Sequence, residues 1–234
     1  MKALIIGGTR GFGKEISDQL LDRGYSLITV SRSASGYKNR LHYSCDVGDL
    51  DSWYKTLQKI KSEYDSLDFL ACVAGFTIAK SSKDLTIDDW NQTLSRNVIY
   101  VALALQELSD LLHASDHPRI LTIGSQWSYK TGCDELVPYT IVKHALRTLT
   151  EDFAQRNPRI QINHYCVPTM DTPGYWEVRE SFQNIGQETT IKSFTPDKLA
   201  NPKVVAKSII DKALETDASG STFIIKPDGF IEEI

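Results

Sequence analysis

Short apolar runs alternate with amphipathic segments along almost the whole chain, and this alternation limits the possible folds more than any other feature. Runs of strand length occur at residues 3–6, 25–30, 41–45, 67–73, 119–124, 160–167 and 222–225. Segments with helical periodicity occur at residues 14–23, 49–64, 88–113, 138–155 and 201–215. Strands that alternate with helices predict repeated βαβ units. We therefore predict an α/β, Rossmann-type doubly wound fold: a central parallel sheet of about seven strands with helices on both faces.

Composition narrows the class of protein further. The 234 residues, 41% of them hydrophobic, are enough to bury one large core without a disulfide or metal. The net charge of −4 gives no general attraction to nucleic acid or anionic membrane, and no apolar run reaches the length of a membrane span. The N-terminus lacks a signal-peptide pattern and the four cysteines lack zinc-ligand spacing. We expect one domain over residues 1–234, a cytoplasmic location and no bound metal.

A glycine-rich turn follows the first apolar run and opens the first helix. It reads Gly7-Gly-Thr9-Arg10-Gly11-Phe12-Gly13, a G-x-x-x-G-x-G spacing rather than the usual G-x-G-x-x-G. Glycines there let the backbone approach a pyrophosphate, which then sits at the N-terminus of the helix. The sequence therefore predicts dinucleotide binding, although such a run can also be only a tight turn.

The end of the second strand indicates which dinucleotide is bound. In this fold it faces the adenosine ribose, where an acidic residue binds the 2′-hydroxyl of NAD and a basic one accommodates the 2′-phosphate of NADP. Here the chain has Ser31 and Arg32 and no acidic residue, and Arg10 adds a second guanidinium. The pattern favours NADP(H) over NAD(H). The alternative is that both arginines are solvated surface residues.

A tyrosine and a lysine stand four residues apart at the start of the helix predicted over residues 138–155. Tyr139 and Lys143 fall on one helix face at that spacing. An ammonium beside a phenol favours the phenolate, so it makes the phenol a usable proton donor or acceptor near neutral pH. The pair alone is common by chance, and its meaning depends on the rest of the chain.

The glycine spacing and the Tyr-x-x-x-Lys pair together resemble the short-chain dehydrogenases/reductases in their compact single-domain form. The resemblance covers nearly the whole chain. It implies a Rossmann-type NAD(P)-binding domain that exchanges hydride between a carbonyl and an alcohol. It also implies that residues 174–200, the least periodic stretch, form a substrate lid segment within that domain.

The resemblance implies a set of cofactor-binding residues in chain order. Asp46 and Val47 match the step after the third strand, whose Asp contacts the adenine in the family. Pro168 to Thr172 takes the place of the family's Pro-Gly-x-x-x-Thr along the nicotinamide. The full expected set is Gly7, Thr9, Arg10, Gly11, Phe12, Gly13, Ser31, Arg32, Asp46, Val47, Ala74, Gly75, Tyr139, Lys143, Pro168, Thr169, Met170 and Thr172.

Four residues match the catalytic positions of the family. Tyr139 would give its proton to a carbonyl oxygen, while Lys143 would lower the pKa of Tyr139 and hold the nicotinamide ribose. Ser125 would hydrogen-bond the same oxygen, and Asn97 would hold a water that links Lys143 to solvent. Taken singly, Ser125 is equally explained as a strand-end cap, Asn97 as a partner of helix backbone and Lys143 as a surface lysine.

Three departures from the family pattern leave these positions intact. Cys72 and Val73 replace two polar residues at a strand end, Thr169 replaces a glycine, and the loop from Ser125 to Tyr139 is one residue longer than usual. Aromatic residues of that loop and of the lid would suit an apolar or ring-bearing substrate, but packing of the lid explains them equally well. They are Trp127, Tyr129, Tyr175, Trp176, Phe182 and Phe194.

The expected function is thus an NADPH-dependent carbonyl reductase, or the reverse alcohol dehydrogenase, acting on a small carbonyl or alcohol. Two alternatives remain open: a lyase or epimerase that reuses the Tyr/Lys pair, and a non-catalytic NADP(H) sensor or scaffold. The resemblance further implies a homodimer or homotetramer, since helices 88–113 and 138–155 are the family's usual oligomer surfaces.

Overall fold

The computed structural model describes residues 1–33, 41–184, 186 and 199–234. Its eight strands form one sheet in the order β3-β2-β1-β4-β5-β6-β7-β8. The seven parallel strands are those predicted from the sequence. The strands are β1 (Lys2–Ile6), β2 (Ser26–Ser31), β3 (Leu41–Ser44), β4 (Phe69–Cys72), β5 (Arg119–Ser125), β6 (Gln161–Val167), β7 (Thr222–Ile225) and β8 (Ile231–Glu233).

Helices cover both faces of this sheet, as the alternating pattern predicts. They are α1 (Gly11–Asp22), α2 (Leu50–Glu63), α3 (Ile87–Leu94), α4 (Tyr100–Glu107), α5 (Ser109–His113), α6 (Val137–Arg156), α7 (Pro173–Asn184) and α8 (Pro202–Glu215). Among the residues described above, no helix is long and apolar enough to span a membrane.

The strands bury alternate residues against opposite helix layers. In β1, Leu4 and Ile6 belong to the core shared with α2, α4 and α6, whereas Ala3 and Ile5 belong to the core shared with α1 and α8. All four side chains are fully buried. A parallel sheet covered on both faces explains why its strands are continuous apolar runs in the sequence.

The last strand was not predicted. β8 pairs antiparallel with β7 through Phe223–Glu233, Ile224–Glu232 and Ile225–Ile231. Its sequence, Ile-Glu-Glu, is only three residues long and mostly exposed. A short edge strand needs little apolar surface, so it lacks the periodicity that identifies a buried strand.

The helix predicted over residues 88–113 is interrupted twice. A π-helical turn, Ser95–Ile99, separates α3 from α4, and α4 ends one residue before α5 begins. A π-helical turn contains about one residue more than an α-helical turn, because its hydrogen bonds join residues i and i+5. The sequence of this region keeps helical periodicity throughout, so the pattern alone does not reveal that residue. π-helical turns of this kind occur frequently at functional sites, and here the turn contains Asn97.

The segment predicted as a lid begins in α7 and is anchored at its base. Met170 and Ala200 form a parallel β-bridge, with Ala200 N donating to Thr169 O at 3.0 Å and Asp171 N donating to Ala200 O at 3.1 Å. Residues 185 and 187–198 of the predicted lid, including Phe194, lie outside the described residues. The lid itself therefore stays a prediction.

Candidate active site

The sequence-predicted site residues gather at the carboxyl edge of the sheet. The strand order reverses between β1 and β4, which are hydrogen-bonded neighbours although β2 and β3 lie between them in sequence. Ligands of open α/β sheets bind in the crevice outside the carboxyl ends of the strands at such a point. The glycine turn follows β1, Ala74 and Gly75 follow β4, and Ser125 ends β5.

The glycine turn is closed so tightly that a Cβ atom is excluded at its glycine positions. Gly7 has φ +89°, and a Cβ there would lie 2.7 Å from Ala74 N in the segment after β4. Gly11 has φ +51°, and a Cβ on Gly13 would lie 2.0 Å from Gly7 O. The turn therefore brings bare backbone to the crevice, which is what close approach to a pyrophosphate requires.

The N-terminus of α1 is left open for a ligand. Asp49 caps α2, Thr86 forms a capping box with Asp89 on α3, and Asn201 caps α8. No side chain among the described residues caps α1 at Arg10. The first backbone N–H groups of that helix are thus not taken by a capping side chain, as the binding of an anion there requires. The cradle fits the pyrophosphate of a dinucleotide.

The basic residues predicted beside the cofactor are partly engaged within the protein. Arg10 makes a two-point ion pair with Glu177 of α7, at 2.5 and 3.2 Å. Both side chains are more than half exposed. Arg10 lowers the pKa of the Glu177 carboxyl through this hydrogen bond, and Arg32 adds a weaker Coulombic effect. Glu177 was missed by sequence reasoning, since nothing local marks it as a partner of the glycine turn.

The ends of β2 and β3 are also held by polar contacts. The hydroxyls of Thr9 and Ser31 lie 2.8 Å apart, which ties the glycine turn to the end of β2. Asp46 accepts hydrogen bonds from Gly48 N at 2.9 Å and from Arg96 Nη2 at 3.0 Å. The Arg96 guanidinium lowers the pKa of Asp46. The Asp46 carboxylate, which is predicted to face adenine, thus stabilises the loop between β3 and α2. The neighbouring Val47 is buried.

Ser125 lies beside Tyr139, as their predicted shared role requires. The hydroxyls of Ser125 and Thr77 are close enough to the Tyr139 phenol to lower its pKa. Burial has the larger effect, so the pKa of Tyr139 is raised overall. This direction is opposite to the one that the Tyr/Lys spacing predicts, because desolvation of the phenolate outweighs the favourable contacts. Thr77, in the coil after β4, carried no sequence signal.

Lys143 is buried rather than on the surface. Only 4% of the residue is exposed, and its Nζ donates to Ile123 O of β5 at 2.9 Å. The same Nζ lies 5.4 Å from the centroid of the Tyr139 ring. Burial lowers the pKa of Lys143 to about 8. The ammonium form is therefore still the major one at neutral pH, beside the phenol.

Asn97 anchors the loop after β4 to the π-helical turn. Its Oδ1 accepts from Phe76 N at 3.2 Å, and its Nδ2 donates to Phe76 O at 2.8 Å and to Thr93 O at 2.9 Å. The side chain is 1% exposed. The adjacent Tyr100 donates to Ala74 O at 2.7 Å. Asn97 therefore binds backbone, which is the alternative that the sequence left open, and it does so within the site.

The segment after β6 closes against the glycine turn. A Cβ on Gly11 would lie 3.4 Å from Pro173 Cδ and 3.8 Å from Thr172 Cβ. Thr172 directly precedes α7, and its carbonyl accepts from Tyr175 N in the first turn at 3.1 Å. Met170 is 8% exposed and is held by the bridge to Ala200. The structure thus brings the end of the predicted Pro168–Thr172 stretch to the cradle.

Apolar side chains surround Tyr139 on the side of the predicted lid. Trp127 and Phe182 are 8% and 4% exposed and share one cluster with Ala79, Cys133 and Leu136, against which Tyr139 and Val178 pack. By contrast, Trp176 is 47% exposed and its indole donates to Asp171 at 2.8 Å. Packing of α7 against the domain thus accounts for Trp127 and Phe182, and it also lines the approach to Tyr139 with apolar groups.

Comparison with known proteins agrees with this geometry. The model of the family described as short chain dehydrogenase matches residues 1–182. The chain is 27% identical to an uncharacterized oxidoreductase, YvrD, of Bacillus subtilis over 199 residues, 80% of this chain and 75% of that one. It is 29% identical to the 3-oxoacyl-[acyl-carrier-protein] reductase FabG of Salmonella typhimurium over 131 residues, 53% of this chain and 54% of that one.

A solved structure extends the likeness to the whole fold. The NADP active-site complex of Pseudomonas aeruginosa RhlG superposes with a TM-score of 0.83 at 21% identity, over 97% of this chain and 94% of that one. At this identity the likeness concerns the fold alone. The family match, the oxidoreductase relatives and the Rossmann-type sheet lead to one conclusion: the chain belongs to the short-chain dehydrogenase family of oxidoreductases.

Proposed function

We propose that this oxidoreductase uses NADP(H) to interconvert a carbonyl and an alcohol on a small, apolar or ring-bearing substrate. The observation that carries the proposal is the convergence of Ser125 and Lys143 on the phenol of Tyr139, at the carboxyl edge of the sheet beside the glycine turn. Bound in that crevice, the nicotinamide would supply the hydride. The pyrophosphate would be held by backbone from Gly7 to Gly13 and the uncapped start of α1.

The proton chemistry follows from the state of Tyr139. Because burial raises its pKa, the phenol is protonated at neutral pH, which is the starting state for donation to a carbonyl oxygen. Ser125 would donate a second hydrogen bond to that oxygen and stabilise its developing negative charge. Lys143 would provide a positive charge beside the phenol as the proton leaves, and Asn97 would hold the loop that carries Phe76.

Two observations support the cofactor and substrate classes. Arg32 and Arg10 lie at the end of β2 and in the glycine turn, where a 2′-phosphate needs guanidinium partners. Both guanidinium groups lower the pKa of the Glu177 carboxyl, Arg10 by a direct hydrogen bond and Arg32 by a weaker Coulombic effect. The apolar surroundings of Tyr139 suit an uncharged carbonyl compound. The match to a 3-oxoacyl reductase adds 3-oxoacyl thioesters to the candidates.

Tyr139→Phe tests this proposal. NADPH consumption is measured with a panel of ketones, aldehydes, quinones and a 3-oxoacyl thioester, and NADPH binding is followed by fluorescence. We expect the variant to lose turnover while its affinity for NADPH stays nearly unchanged, because the phenyl ring keeps its packing. Tyr64→Phe, at a half-buried tyrosine directly after α2, serves as the matched control and should stay active.

Substantial residual turnover in Tyr139→Phe would refute the role of the phenol. Turnover of no carbonyl compound by the wild-type protein, with intact NADP binding, would instead support a sensor or scaffold. A product that forms without net oxidation or reduction of the cofactor would support a lyase or epimerase.

A further inference from the structure

A chain of buried hydrogen bonds runs from the middle of α6 to the backbone of Ser125. Thr150 Oγ1 lies 2.9 Å from Thr122 Oγ1, and Thr122 Oγ1 lies 2.9 Å from His164 Nδ1. The other ring nitrogen of His164, Nε2, lies 2.9 Å from Ser128 Oγ. Ser128 Oγ in turn accepts from Ser125 N at 3.2 Å. The side chains of Thr122, Ser128, Thr150 and His164 are fully buried.

The direction of every bond in this chain follows from counting protons. A hydroxyl has one proton, and Thr150 uses its proton on Leu146 O at 2.9 Å. The proton of Thr122 then has two acceptors within reach, Thr150 Oγ1 at 2.9 Å and Asn163 O at 3.4 Å. In either case Thr122 accepts from His164 Nδ1–H. Burial, with Lys143 and Arg147 nearby, lowers the pKa of His164 to about 3, so the ring is neutral. Its Nε2 is then an acceptor, and Ser128 O–H donates to it.

The last link fixes the residue that contacts Tyr139. Ser125 and Ser128 form a reciprocal capping box: each side chain accepts from the backbone N–H of the other residue. With its proton on His164, Ser128 presents a lone pair to Ser125 N–H. The Ser125 Oγ accepts from Ser128 N, so its own proton remains available to bond outward. The backbone N–H of Ser125 is thus linked through Ser128 Oγ to Nε2 of His164.

Gly124 leaves room for the imidazole ring of His164 beside Ser128. A Cβ on Gly124 would lie 2.2 Å from His164 Nε2 and 2.8 Å from Ser128 Oγ. The imidazole therefore occupies the volume that a side chain at position 124 would fill. This close approach holds the ring with Nε2 directed at Ser128, between β5 and the turn after it.

We propose that His164 is a positioning residue: through Ser128, its Nε2 lone pair sets the backbone and hydroxyl of Ser125 in the geometry used for hydride transfer. The inference rests on the proposed function, since it assigns Ser125 a substrate contact. His164 lies beneath Ser125 in β6 and does not touch the substrate. The proposed role requires only the Nε2 atom of His164. Substitutions that keep or remove an acceptor at that position can therefore distinguish it from a general role in packing.

Two substitutions of His164 form a matched pair. His164→Gln places an amide oxygen near the position of Nε2 and keeps an acceptor for Ser128, whereas His164→Asn reaches only Thr122. We expect His164→Gln to keep kcat within a few-fold of wild type. We expect His164→Asn to lower kcat by about 10- to 100-fold, the usual effect of misplacing a catalytic group by a fraction of an ångström to an ångström, with the KM for NADPH unchanged.

Ser128→Ala tests the same link from the other side. It should lower kcat as much as His164→Asn does, and the double variant should be no worse than either single variant, because both break one chain. Equal kcat in His164→Gln and His164→Asn, whether high or low, would overturn the proposal. So would losses that add in the double variant, since they would indicate two independent contributions.

A readout without turnover separates this proposal from the proposed function. Amide hydrogen exchange at Ser125 should be slow in the wild type and in His164→Gln, and fast in His164→Asn and Ser128→Ala. Nitrogen-15 shifts of His164 should give the Nδ1–H tautomer. Fast exchange in the wild type, or the Nε2–H tautomer, would overturn the positioning role. A wild type without carbonyl turnover would remove the proposed function while these measurements still decide the hydrogen-bond chain.

Discussion

Replacement of Lys143 by methionine should remove activity but stabilise the protein, because the burial that keeps this lysine beside Tyr139 has a cost. Its pKa is lowered from 10.5 to about 8 by desolvation, and the residue is only 4% exposed. At about 1.4 kcal/mol for each pKa unit, charged Lys143 costs about 3 kcal/mol of folding free energy at neutral pH. Methionine is apolar and of similar length, so it avoids this cost.

The replacement also loses a contact. Lys143 Nζ donates to Ile123 O, and one such bond contributes about 1 kcal/mol. The net expectation for Lys143→Met is a gain of about 2 kcal/mol in the free energy of unfolding at pH 6.5. Between the folded pKa of about 8 and the unfolded value, the unfolded chain binds more protons, so the wild type gains stability as the pH rises. The advantage of the variant should fall to about zero at pH 9.5.

Urea unfolding at pH 6.5 and pH 9.5, at one protein concentration, measures both quantities. Lys55→Met, at an exposed position of α2, is the control and should change stability little at either pH. Carbonyl reduction is measured on the same samples and should be lost in Lys143→Met only. A Lys143→Met variant that is less stable than wild type at pH 6.5, or whose advantage does not depend on pH, would refute the reasoning.

Three further substitutions test the cofactor cradle. Arg32→Asp should weaken NADPH binding by about tenfold or more and NADH binding far less, as measured by fluorescence titration. Arg159→Asp, at an exposed position before β6 at the opposite edge of the sheet, is the control. Equal losses of affinity for both cofactors in Arg32→Asp would contradict the NADP assignment. Glu177→Gln should raise NADPH affinity by up to about fivefold, because it releases Arg10 from an exposed ion pair that contributes at most about 1 kcal/mol. An unchanged dissociation constant at low salt would mean that Arg10 does not contact the 2′-phosphate of NADPH. Gly13→Ala should abolish dinucleotide binding, since its Cβ would lie 2.0 Å from Gly7 O. The control Gly174→Ala, with no atom within 4 Å of its Cβ, should bind the dinucleotide as wild type does. Tight binding by Gly13→Ala would show that the turn can open to admit the methyl group.

The sequence was sufficient for the seven parallel strands of the sheet and for the tight glycine turn after β1. Buried parallel strands need continuous apolar runs, and the glycine turn needs residues without Cβ atoms. Both features can therefore be recognised from a few consecutive residues of the sequence. Local pattern and tertiary structure agree at these positions. The proximity of Ser125 to Tyr139, by contrast, was expected from the family resemblance.

Tertiary contacts decide the features that the sequence did not reveal. The π-helical turn contains Asn97, whose side chain bonds the backbone of Phe76, 21 residues earlier in the chain. The pKa of Tyr139 depends on how deeply the phenol is buried, and helical spacing to Lys143 says nothing about burial. The pairing of Arg10 with Glu177 joins the first helix to the seventh. Each of these is a property of packing rather than of a local pattern.

The bridge between Met170 and Ala200 has a consequence for how such a protein diversifies. It fixes the two ends of the intervening segment side by side at the sheet, so a change in the length of that segment need not disturb the strands. The entropy of closing a loop rises slowly with its length, by about 0.6 kcal/mol for each doubling. A change in the number of residues between Met170 and Ala200 is therefore expected to cost little in folding free energy.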